Sequence, residues 1–332
     1  MKPDKPLDVA PLLERLLAGD RTAIAEALNL VDDQRSAQRE SALELLDGLA
    51  IHKEAQRAHV VGFTGAPGAG KSSLLNALVE TLREHSLRIG IIAVDPSSQR
   101  SGGALLGDRM RLSASAREAG IFLRSMAARD RLGGLADATR ASTAVLSAGF
   151  DWVFIETVGI GQSECEVAQL VDTLVFVAQP GAGDTLQFMK AGILELPDIF
   201  VVNKSDTGAE AERTRSELGG ALQLAEAQAA AGWTPPLLSA SARDRVGIDE
   251  IQTQIEAHRQ HSRESGEFAR RREAGQLAFA TESLSRRYGE WGLAQIGGAG
   301  TLSGRLEQAG ERSAFGVVLD LGREIENALR GK

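Results

Sequence analysis

The chain has 332 residues, of which 43% are hydrophobic and 25% charged, so it can bury a core and is long enough for about two structural units. Its formal net charge of −8 argues against a basic face for sequence-independent nucleic-acid binding, and we expect no nucleic-acid partner. The single cysteine, Cys165, excludes an internal disulfide framework and a thiolate-cluster metal site.

The amino-terminal region predicts helices. Apolar residues recur at helical spacing between residues 7 and 52, and Asp20 is placed to cap the second of these helices. The first residues lack the apolar core of a signal peptide, and no apolar run approaches the ~20 residues of a membrane-spanning helix. We therefore expect a cytoplasmic protein without a membrane partner.

From His59 onwards, short apolar runs alternate with amphipathic segments. Near-continuous apolar strands separated by helices are typical of a mainly parallel sheet covered on both faces, so we predict an α/β fold. The predicted strands are Val60–Thr64, Ile89–Asp95, Ile121–Arg124, Trp152–Glu156, Thr173–Gln179, Ile199–Asn203 and Pro236–Ser239.

A phosphate-binding loop follows the first of these strands. Residues 65–72 fit the P-loop pattern GxxxxGK[ST], between a strand and a helix, where backbone N–H groups and the helix N-terminus favour phosphate. Lys71 would reach the β- and γ-phosphates, and Ser72 would ligate Mg²⁺. The predicted phosphate-site residues are Gly65, Ala66, Pro67, Gly68, Ala69, Gly70, Lys71, Ser72 and Ser73.

A base-recognition motif follows a later strand. Residues 203–206 fit the pattern NKxD, in which Asp206 can accept hydrogen bonds from N1 and the exocyclic N2 of guanine. Asn203 and Lys204 would pack against the phosphate loop, and Ser239, Ala240 and Ser241 would place a backbone N–H near the guanine O6. The motif predicts GTP rather than ATP as the nucleotide.

Three carboxylates between these motifs are candidate Mg²⁺ ligands. Glu156 ends an apolar strand, where a carboxylate is costly unless it meets a cation or strong donors. Asp95 and Asp108 are the other two, although Asp95 can equally be a turn residue and Asp108 a solvated carboxylate at a helix start. Gly159, just after Glu156, could donate its N–H to the γ-phosphate.

The carboxy-terminal part predicts further helices. After Ile251 the pattern indicates one long charged helix to about Arg287, then a glycine-rich turn at residues 297–300 and a last helix near Leu319–Leu329. His258 and His261 are spaced like neighbours on one helix face, and we interpret them as a solvated pair. This region would flank the sheet as a helical extension.

Together these motifs resemble the MeaB/ArgK family of G-protein chaperones, which includes the human protein MMAA. The resemblance covers about residues 10–290. It implies a dimeric SIMIBI-type P-loop GTPase with an N-terminal helical region (1–56), a GTPase domain (57–260) and a C-terminal helical dimerisation arm (261–332). The segments that carry it are 65–73, 95–98, 101–108, 156–164, 180–184, 186–187, 190–192 and 202–204.

The resemblance also implies a function. Family members are homodimeric, GTP-hydrolysing metallochaperones that gate adenosylcobalamin loading and protect or reactivate an acyl-CoA mutase of the methylmalonyl-CoA mutase type. GTP or GDP and Mg²⁺ would be the ligands of this chain, with an adenosyltransferase as a further partner. Since no cobalamin ligand is visible in the sequence, we expect the B12 cofactor to belong to the mutase.

By the matching motifs, residues 97–112 would be switch I and 157–166 switch II. A further loop, 180–192, would report the nucleotide state to the mutase through Asp184, Gln187 and Lys190, although Lys190 can also be a solvated helix lysine. The candidate catalytic residues are Lys71, Asp95, Glu156, Gly159 and Gln162. Water orientation is left to Asp95 or a switch II group, so we predict slow hydrolysis without the partner.

Other functions stay open at this point. A metal-insertion GTPase of the same class would need a His/Cys cluster that the five histidines do not form in sequence, and NKxD argues against a P-loop kinase of a transport protein. A structural dimer with an inert nucleotide is a third alternative. The client could be a methylmalonyl-, ethylmalonyl-, isobutyryl- or 2-hydroxyisobutyryl-CoA mutase, because residues 185, 188–189 and 196–198 depart from the commonest family version.

Overall fold

The computed structural model describes most of the chain. The described residues are 7–33, 35–52, 57–96, 120–128, 134–157, 166–181, 195–226 and 232–330.

A seven-stranded sheet organises one part of the molecule. Every strand pair is parallel, in the order β3-β2-β4-β1-β5-β6-β7, which confirms the predicted α/β class. The strands are β1 (His59–Thr64), β2 (Ile89–Pro96), β3 (Ile121–Ala128), β4 (Trp152–Glu156), β5 (Thr173–Ala178), β6 (Ile199–Val202) and β7 (Leu237–Ser239).

The central strands are buried from end to end. All residues of β1, β4, β5 and β6 are buried, which explains why these segments form nearly continuous apolar runs in the sequence. β1 lies between β4 and β5, with Phe63 opposite Glu156 and Thr64 opposite Phe176. The carboxyl ends of these three strands therefore meet at one edge of the sheet, where α/β proteins bind ligands.

Ten α-helices occur among the described residues. They are α1 (Val9–Leu17), α2 (Arg21–Asp32), α3 (Ser36–Ile51), α4 (Lys71–Glu84), α5 (Gly134–Gly149), α6 (Ala209–Glu226), α7 (Ile248–Glu264), α8 (Glu267–Gln295), α9 (Ala299–Gln308) and α10 (Ala314–Arg330).

Helices cover both faces of the sheet. Val175 and Val177 of β5 belong to a core that includes Leu74 and Leu78 of α4 and Ile251 of α7. Alternate residues of the same strand point the other way, because successive side chains of a strand face opposite sides. There, Phe176 and Ala178 pack in a second core with Phe200 of β6 and Leu218 and Leu222 of α6.

The chain divides into two compact units. The sheet unit comprises residues 59–128 and 152–271, and the helical unit comprises residues 1–58, 129–151 and 272–332. The three-part division at residues 56 and 260 stays a prediction.

The helical unit contains the predicted N-cap. Asp20 Oδ1 accepts hydrogen bonds from the backbone N–H groups of Thr22 at 2.8 Å and Ala23 at 3.4 Å, as the sequence predicts. Asp47 of α3 contacts the carboxy-terminal part of this unit. Its Oδ1 accepts a hydrogen bond of 2.9 Å from the backbone N–H of Ser313, the residue directly before α10. The amino- and carboxy-terminal helices of this unit are therefore joined by a capping contact.

The long charged helix predicted after Ile251 is instead two helices. α7 ends at Glu264 and α8 begins at Glu267, because Gly266 adopts a left-handed φ of 75° that a continuous helix does not allow. The segment between Ile255 and Phe268 is polar apart from Ala257, so apolar periodicity carries no signal for this break. In the described part of the chain, no helix is long and apolar enough to cross a membrane.

Candidate functional site

The loop between β1 and α4 is shaped by three glycines. Gly65, Gly68 and Gly70 have φ angles of 132°, 81° and 87°. A Cβ on Gly65 would lie 2.1 Å from the carbonyl oxygen of Val177 in β5, so a side chain there would collide with the sheet. The chain can therefore turn tightly into the N-terminus of α4, where unsatisfied N–H groups and the helix dipole favour an anion.

Lys71, the first residue of α4, is held against this loop. Its side chain is buried, and Nζ donates to the carbonyl oxygens of Gly65 at 2.8 Å and Ala66 at 3.1 Å. The ammonium group thus lies against the backbone that would surround a phosphate chain. From there it can exchange these carbonyl acceptors for phosphate oxygens.

The base motif braces the phosphate loop. Asn203 Nδ2 donates to the carbonyl oxygen of Ala69 at 2.8 Å, and Lys204 Nζ donates to that of Gly68 at 2.7 Å. Gly70 passes so close that a Cβ there would lie 2.5 Å from Asn203 Nδ2. The two sequence motifs, more than 130 positions apart, therefore form one structure.

A short hairpin after β7 orients the aspartate of the base motif. Ser241 and Val246 exchange backbone hydrogen bonds of 3.0 and 3.1 Å, which closes the base hairpin, residues 241–246. Ser241 Oγ donates to Asp206 Oδ1 at 2.8 Å, and Arg243 Nη1 lies 3.8 Å from the other carboxylate oxygen. The Asp206 carboxylate is thus fixed on one side while part of it remains exposed.

The predicted base-contact residues Ser239, Ala240 and Ser241 lie at the end of β7 and directly after it. The Ala240 N–H donates to the carbonyl oxygen of Val202, and the Ser241 N–H donates to that of Val246, so neither is available to a base. The next N–H along the chain, that of Ala242, donates to Asn203 Oδ1 at 3.2 Å, and the contact of these residues with the base stays a prediction.

These elements enclose a cavity of about 690 Å³, which is within the usual size of a small-molecule site. It lies between α4, the base motif and the base hairpin. Six of its lining residues were not predicted from the sequence, because they lie beyond the two motifs. Those six are Asn76, Ala77, Glu80, Ala242, Arg243 and Arg245, and the predicted ones are Gly70, Ser73, Asn203, Lys204 and Asp206.

Two oxygen-bearing side chains meet beside the phosphate loop. Ser72 Oγ donates to Glu156 Oε1 at 2.5 Å, and Glu156 is buried at the end of β4, next to β1 in the sheet. Hard oxygen donors of this kind suit Mg²⁺, which in nucleotide sites takes one or two protein ligands and completes its shell with water and phosphate. The residues present therefore fit the metal that the sequence predicts.

Several predicted site residues cannot be placed. Asp95 belongs to β2, where it pairs with Ala127, and its side chain is outside the described part of the structure. The other such residues, which also lie outside the described residues, are Asp108, Gly159, Gln162, Asp184, Gln187 and Lys190. Their roles stay predictions.

Comparison with known proteins finds the same family that the sequence motifs resemble. A family model described as methylmalonyl Co-A mutase-associated GTPase MeaB matches residues 24–288. A protein of Pyrococcus horikoshii whose name proposes a GTPase is 43% identical over 270 residues, covering 81% of this chain and 82% of that one.

A mouse protein and a solved structure extend the comparison. The Mus musculus protein named methylmalonic aciduria type A homolog, mitochondrial, is 36% identical over 269 residues, which are 78% of this chain and 65% of the mouse protein. A crystal structure of a LAO/AO transport system kinase aligns with a TM-score of 0.67 at 30% identity, over 82% of this chain and 81% of that one.

Proposed function

Because the chain belongs to the MeaB family of mutase-associated GTPases, we propose that it binds and hydrolyses GTP and that this activity assists an adenosylcobalamin-dependent acyl-CoA mutase. The observation that carries the nucleotide part is the contact of Asn203 and Lys204 with the phosphate loop. It supports the proposal because Asp206 lines one cavity together with Gly70 and Ser73 at the end of the phosphate loop.

Base selection would depend on Asp206. Its carboxylate can accept from N1–H and the exocyclic N2–H of guanine together, whereas adenine offers no matching pair of donors. The hydrogen bond from Ser241 Oγ fixes the orientation of the carboxylate before the base arrives. A pre-oriented acceptor loses less entropy on binding, which favours GTP and GDP over adenine nucleotides.

Phosphate binding and hydrolysis would depend on α4 and its loop. Lys71 and the loop N–H groups stabilise the charge of the β- and γ-phosphates, and Ser72 and Glu156 would hold Mg²⁺. The metal supplies further neutralisation of the phosphate oxygens. Asp95, Gly159 and Gln162 are the proposed residues that orient water or contact the γ-phosphate.

The proposed partner is the mutase. The family description names a mutase-associated GTPase, and the mouse relative is named for methylmalonic aciduria, which supports a role with an enzyme of that class. We propose that a cytoplasmic homodimer, joined through residues 261–332, gates adenosylcobalamin loading and protects or reactivates the mutase. Asp184, Gln187 and Lys190 would report the nucleotide state to the mutase, and an adenosyltransferase is a further proposed partner.

Calorimetric competition between GTP and ATP tests the nucleotide part. We expect GTP, in the presence of Mg²⁺, to bind at least about a hundredfold more tightly than ATP, because two charge-assisted hydrogen bonds distinguish the bases. Equal affinities would reject the base assignment. A Lys71→Ala chain should lose nucleotide binding while keeping the circular dichroism spectrum of the parent.

Hydrolysis assays with a purified adenosylcobalamin-dependent acyl-CoA mutase test the partner. We expect slow turnover of the chain alone and at least tenfold acceleration by its client mutase, since the partner would order the switch segments. Lys190→Ala should reduce the acceleration without weakening GTP binding. Turnover of several per second in the absence of any mutase, or no acceleration by any of the four mutase types, would contradict the proposal.

A second candidate function comes from the solved structure, which is called a transport system kinase. Such a kinase would transfer the γ-phosphoryl group to a protein acceptor rather than to water. The competition between GTP and ATP separates the GTPase from the kinase, because the kinase function requires ATP to bind more tightly than GTP. Release of inorganic phosphate without a labelled protein product would also exclude it.

A further inference from the structure

An ion pair lies among the residues that line the proposed nucleotide cavity. Glu80 lies two turns beyond Ser73 on α4, and its Oε2 accepts from Nη1 of Arg245 in the base hairpin. Both residues line the same cavity as Asp206 and Lys204. The pair therefore joins the helix that follows the phosphate loop to the hairpin that follows β7.

A second hydrogen bond holds the Glu80 side chain in this position. Its Oε1 accepts from Nδ2 of Asn76, one turn earlier on α4, at 2.9 Å. Each carboxylate oxygen thus has its own donor, one on the helix and one on the hairpin. A carboxylate held at both oxygens presents a fixed rather than a mobile partner to the guanidinium of Arg245.

Arg245 adopts a backbone conformation that needs support. Its φ of 58° lies in the left-handed region, which is unfavourable for a residue with a Cβ. The cross-hairpin bonds between Ser241 and Val246 hold it there, and Ser241 Oγ also accepts from the backbone N of Asp244 at 3.1 Å. The same hydroxyl orients Asp206, so the hairpin that Arg245 ties to α4 also positions the base acceptor.

We propose that Glu80 and Arg245 form a latch that slows nucleotide release. They are positioning residues, because they act by holding the base hairpin against α4 and not by touching the reacting phosphate. This inference rests on the proposed guanine-nucleotide site and deepens it by naming what controls how long the nucleotide stays. An intact latch keeps Ala242 and Arg243 over the base, and an open one lets the hairpin move away.

Dissociation of a fluorescent GDP analogue from the full chain, chased with excess GDP, measures the latch. Both partners are partly exposed, with side-chain accessibilities of 51% and 40%, so the pair is a surface ion pair of modest strength. We expect Glu80→Gln and Arg245→Gln each to raise the dissociation rate about two- to fivefold. The double charge swap, Glu80→Arg with Arg245→Glu, should return it toward the wild-type rate.

Salt and a matched control separate a latch from a structural role. High salt screens a surface ion pair, so the difference between wild type and Glu80→Gln should shrink toward zero at about 1 M salt. Arg213→Gln breaks a more exposed pair with Glu217 on α6, outside the residues that line the cavity, and should leave the dissociation rate unchanged.

The outcomes distinguish the latch from the site itself. A wild-type chain that binds no guanine nucleotide overturns both the proposed function and the latch. If the wild type binds but Glu80→Gln releases GDP at the wild-type rate, the latch alone is wrong. Failure of the charge swap to restore slow release, or an equal effect of Arg213→Gln, also overturns it.

Discussion

Ser72 Oγ lies 2.5 Å from Glu156 Oε1, although the two residues are 84 positions apart in the chain. β1 leads into the helix that carries Ser72, and β4, which pairs with β1, ends at Glu156. Neighbouring parallel strands end at the same edge of a sheet, so the topology alone brings the two side chains together. This pair is the part of the candidate site with the most direct link to Mg²⁺.

Glu156→Gln should therefore raise the Mg²⁺ concentration that supports half-maximal GTP hydrolysis. An amide is a weaker ligand for a hard cation than a carboxylate, and we expect a change of about tenfold or more. Hydrolysis rates over a Mg²⁺ titration measure it. Glu217→Gln on the exposed face of α6 is the control, and an unchanged Mg²⁺ dependence of Glu156→Gln would remove Glu156 from the metal site.

Asp206→Asn should change the preferred base from guanine to xanthine. The carboxamide can donate to the C2 carbonyl of xanthine, which replaces the amino group that the carboxylate accepts from in guanine. We expect GTP affinity to fall about a hundredfold and XTP to bind more tightly than GTP. Calorimetry with both nucleotides checks this, and a variant that still prefers GTP would show that Asp206 does not contact the base.

Ser241→Ala tests the orienting hydrogen bond to Asp206. Its loss leaves the acceptor in place but mobile, so we expect GTP affinity to fall by only about fivefold. The hydroxyl also accepts from the backbone N of Asp244, so the hairpin should loosen as well. A hundredfold loss of affinity, as large as that expected for Asp206→Asn, would mean that Ser241 contacts the nucleotide directly.

Local motifs and apolar runs predicted the sheet and the two loops correctly, because each is specified by neighbouring residues. The phosphate loop needs glycine at set spacings, and buried parallel strands need unbroken apolar runs. The base motif also predicted the packing of Asn203 and Lys204 on the phosphate loop, whereas other contacts across the fold were not predictable in this way. The base hairpin owes its role to the contact between Ser241 and Asp206, 35 positions apart, and β3 extends to Ala128 because it pairs with β2 along its whole length.

Gly65→Ala should destabilise the sheet unit by more than about 2 kcal/mol. The added Cβ would meet the Val177 carbonyl oxygen at 2.1 Å, and the φ of 132° is itself unfavourable for alanine. Gly220→Ala is the matched control, because nothing lies within 4 Å of a Cβ there and the residue is in α6. Helix propensity predicts that this control stabilises the chain by up to about 1 kcal/mol.

Chemical denaturation of the two alanine variants measures both effects. The clash at Gly65 cannot relax by side-chain rotation, since the atom it meets belongs to the backbone of β5. Equal stability of Gly65→Ala and the wild type would therefore show that the loop leaves β1 by a different path. Loss of stability in Gly220→Ala would show that position 220 is not an open helix site.

His258 differs from its prediction as half of a solvated pair. It is buried, with Nδ1 2.7 Å from Thr173 Oγ1 and Nε2 3.3 Å from Asp198 Oδ1. The helical spacing to His261 was correct, but spacing does not show which face of α7 turns inward. Arg271 donates to both oxygens of Asp198, so the aspartate that faces His258 is already paired.

These surroundings predict a pH-dependent stability. Burial lowers the pKa of His258 below its ordinary value of 6.5, and the charges of Arg271 and His261 lower it further, while Asp198 and Asp172 oppose the change. Below about pH 6.5, His258 is therefore protonated more readily in the unfolded chain than in the folded chain. Stability from this group is therefore complete above about pH 6.5 and is lost as the pH falls toward the lower folded value.

His258→Gln should flatten this dependence, because the amide keeps hydrogen-bonding capacity but does not titrate. The free energy of unfolding, measured by denaturant titration between about pH 7.5 and about pH 5.5, should fall less in this variant than in the wild type. His85→Gln, at an exposed position after α4, should keep the wild-type slope. If His258→Gln keeps that slope as well, proton uptake at His258 does not contribute to the acid sensitivity of the fold, and the buried imidazole acts only through its hydrogen bond to Thr173 and its contact with Asp198.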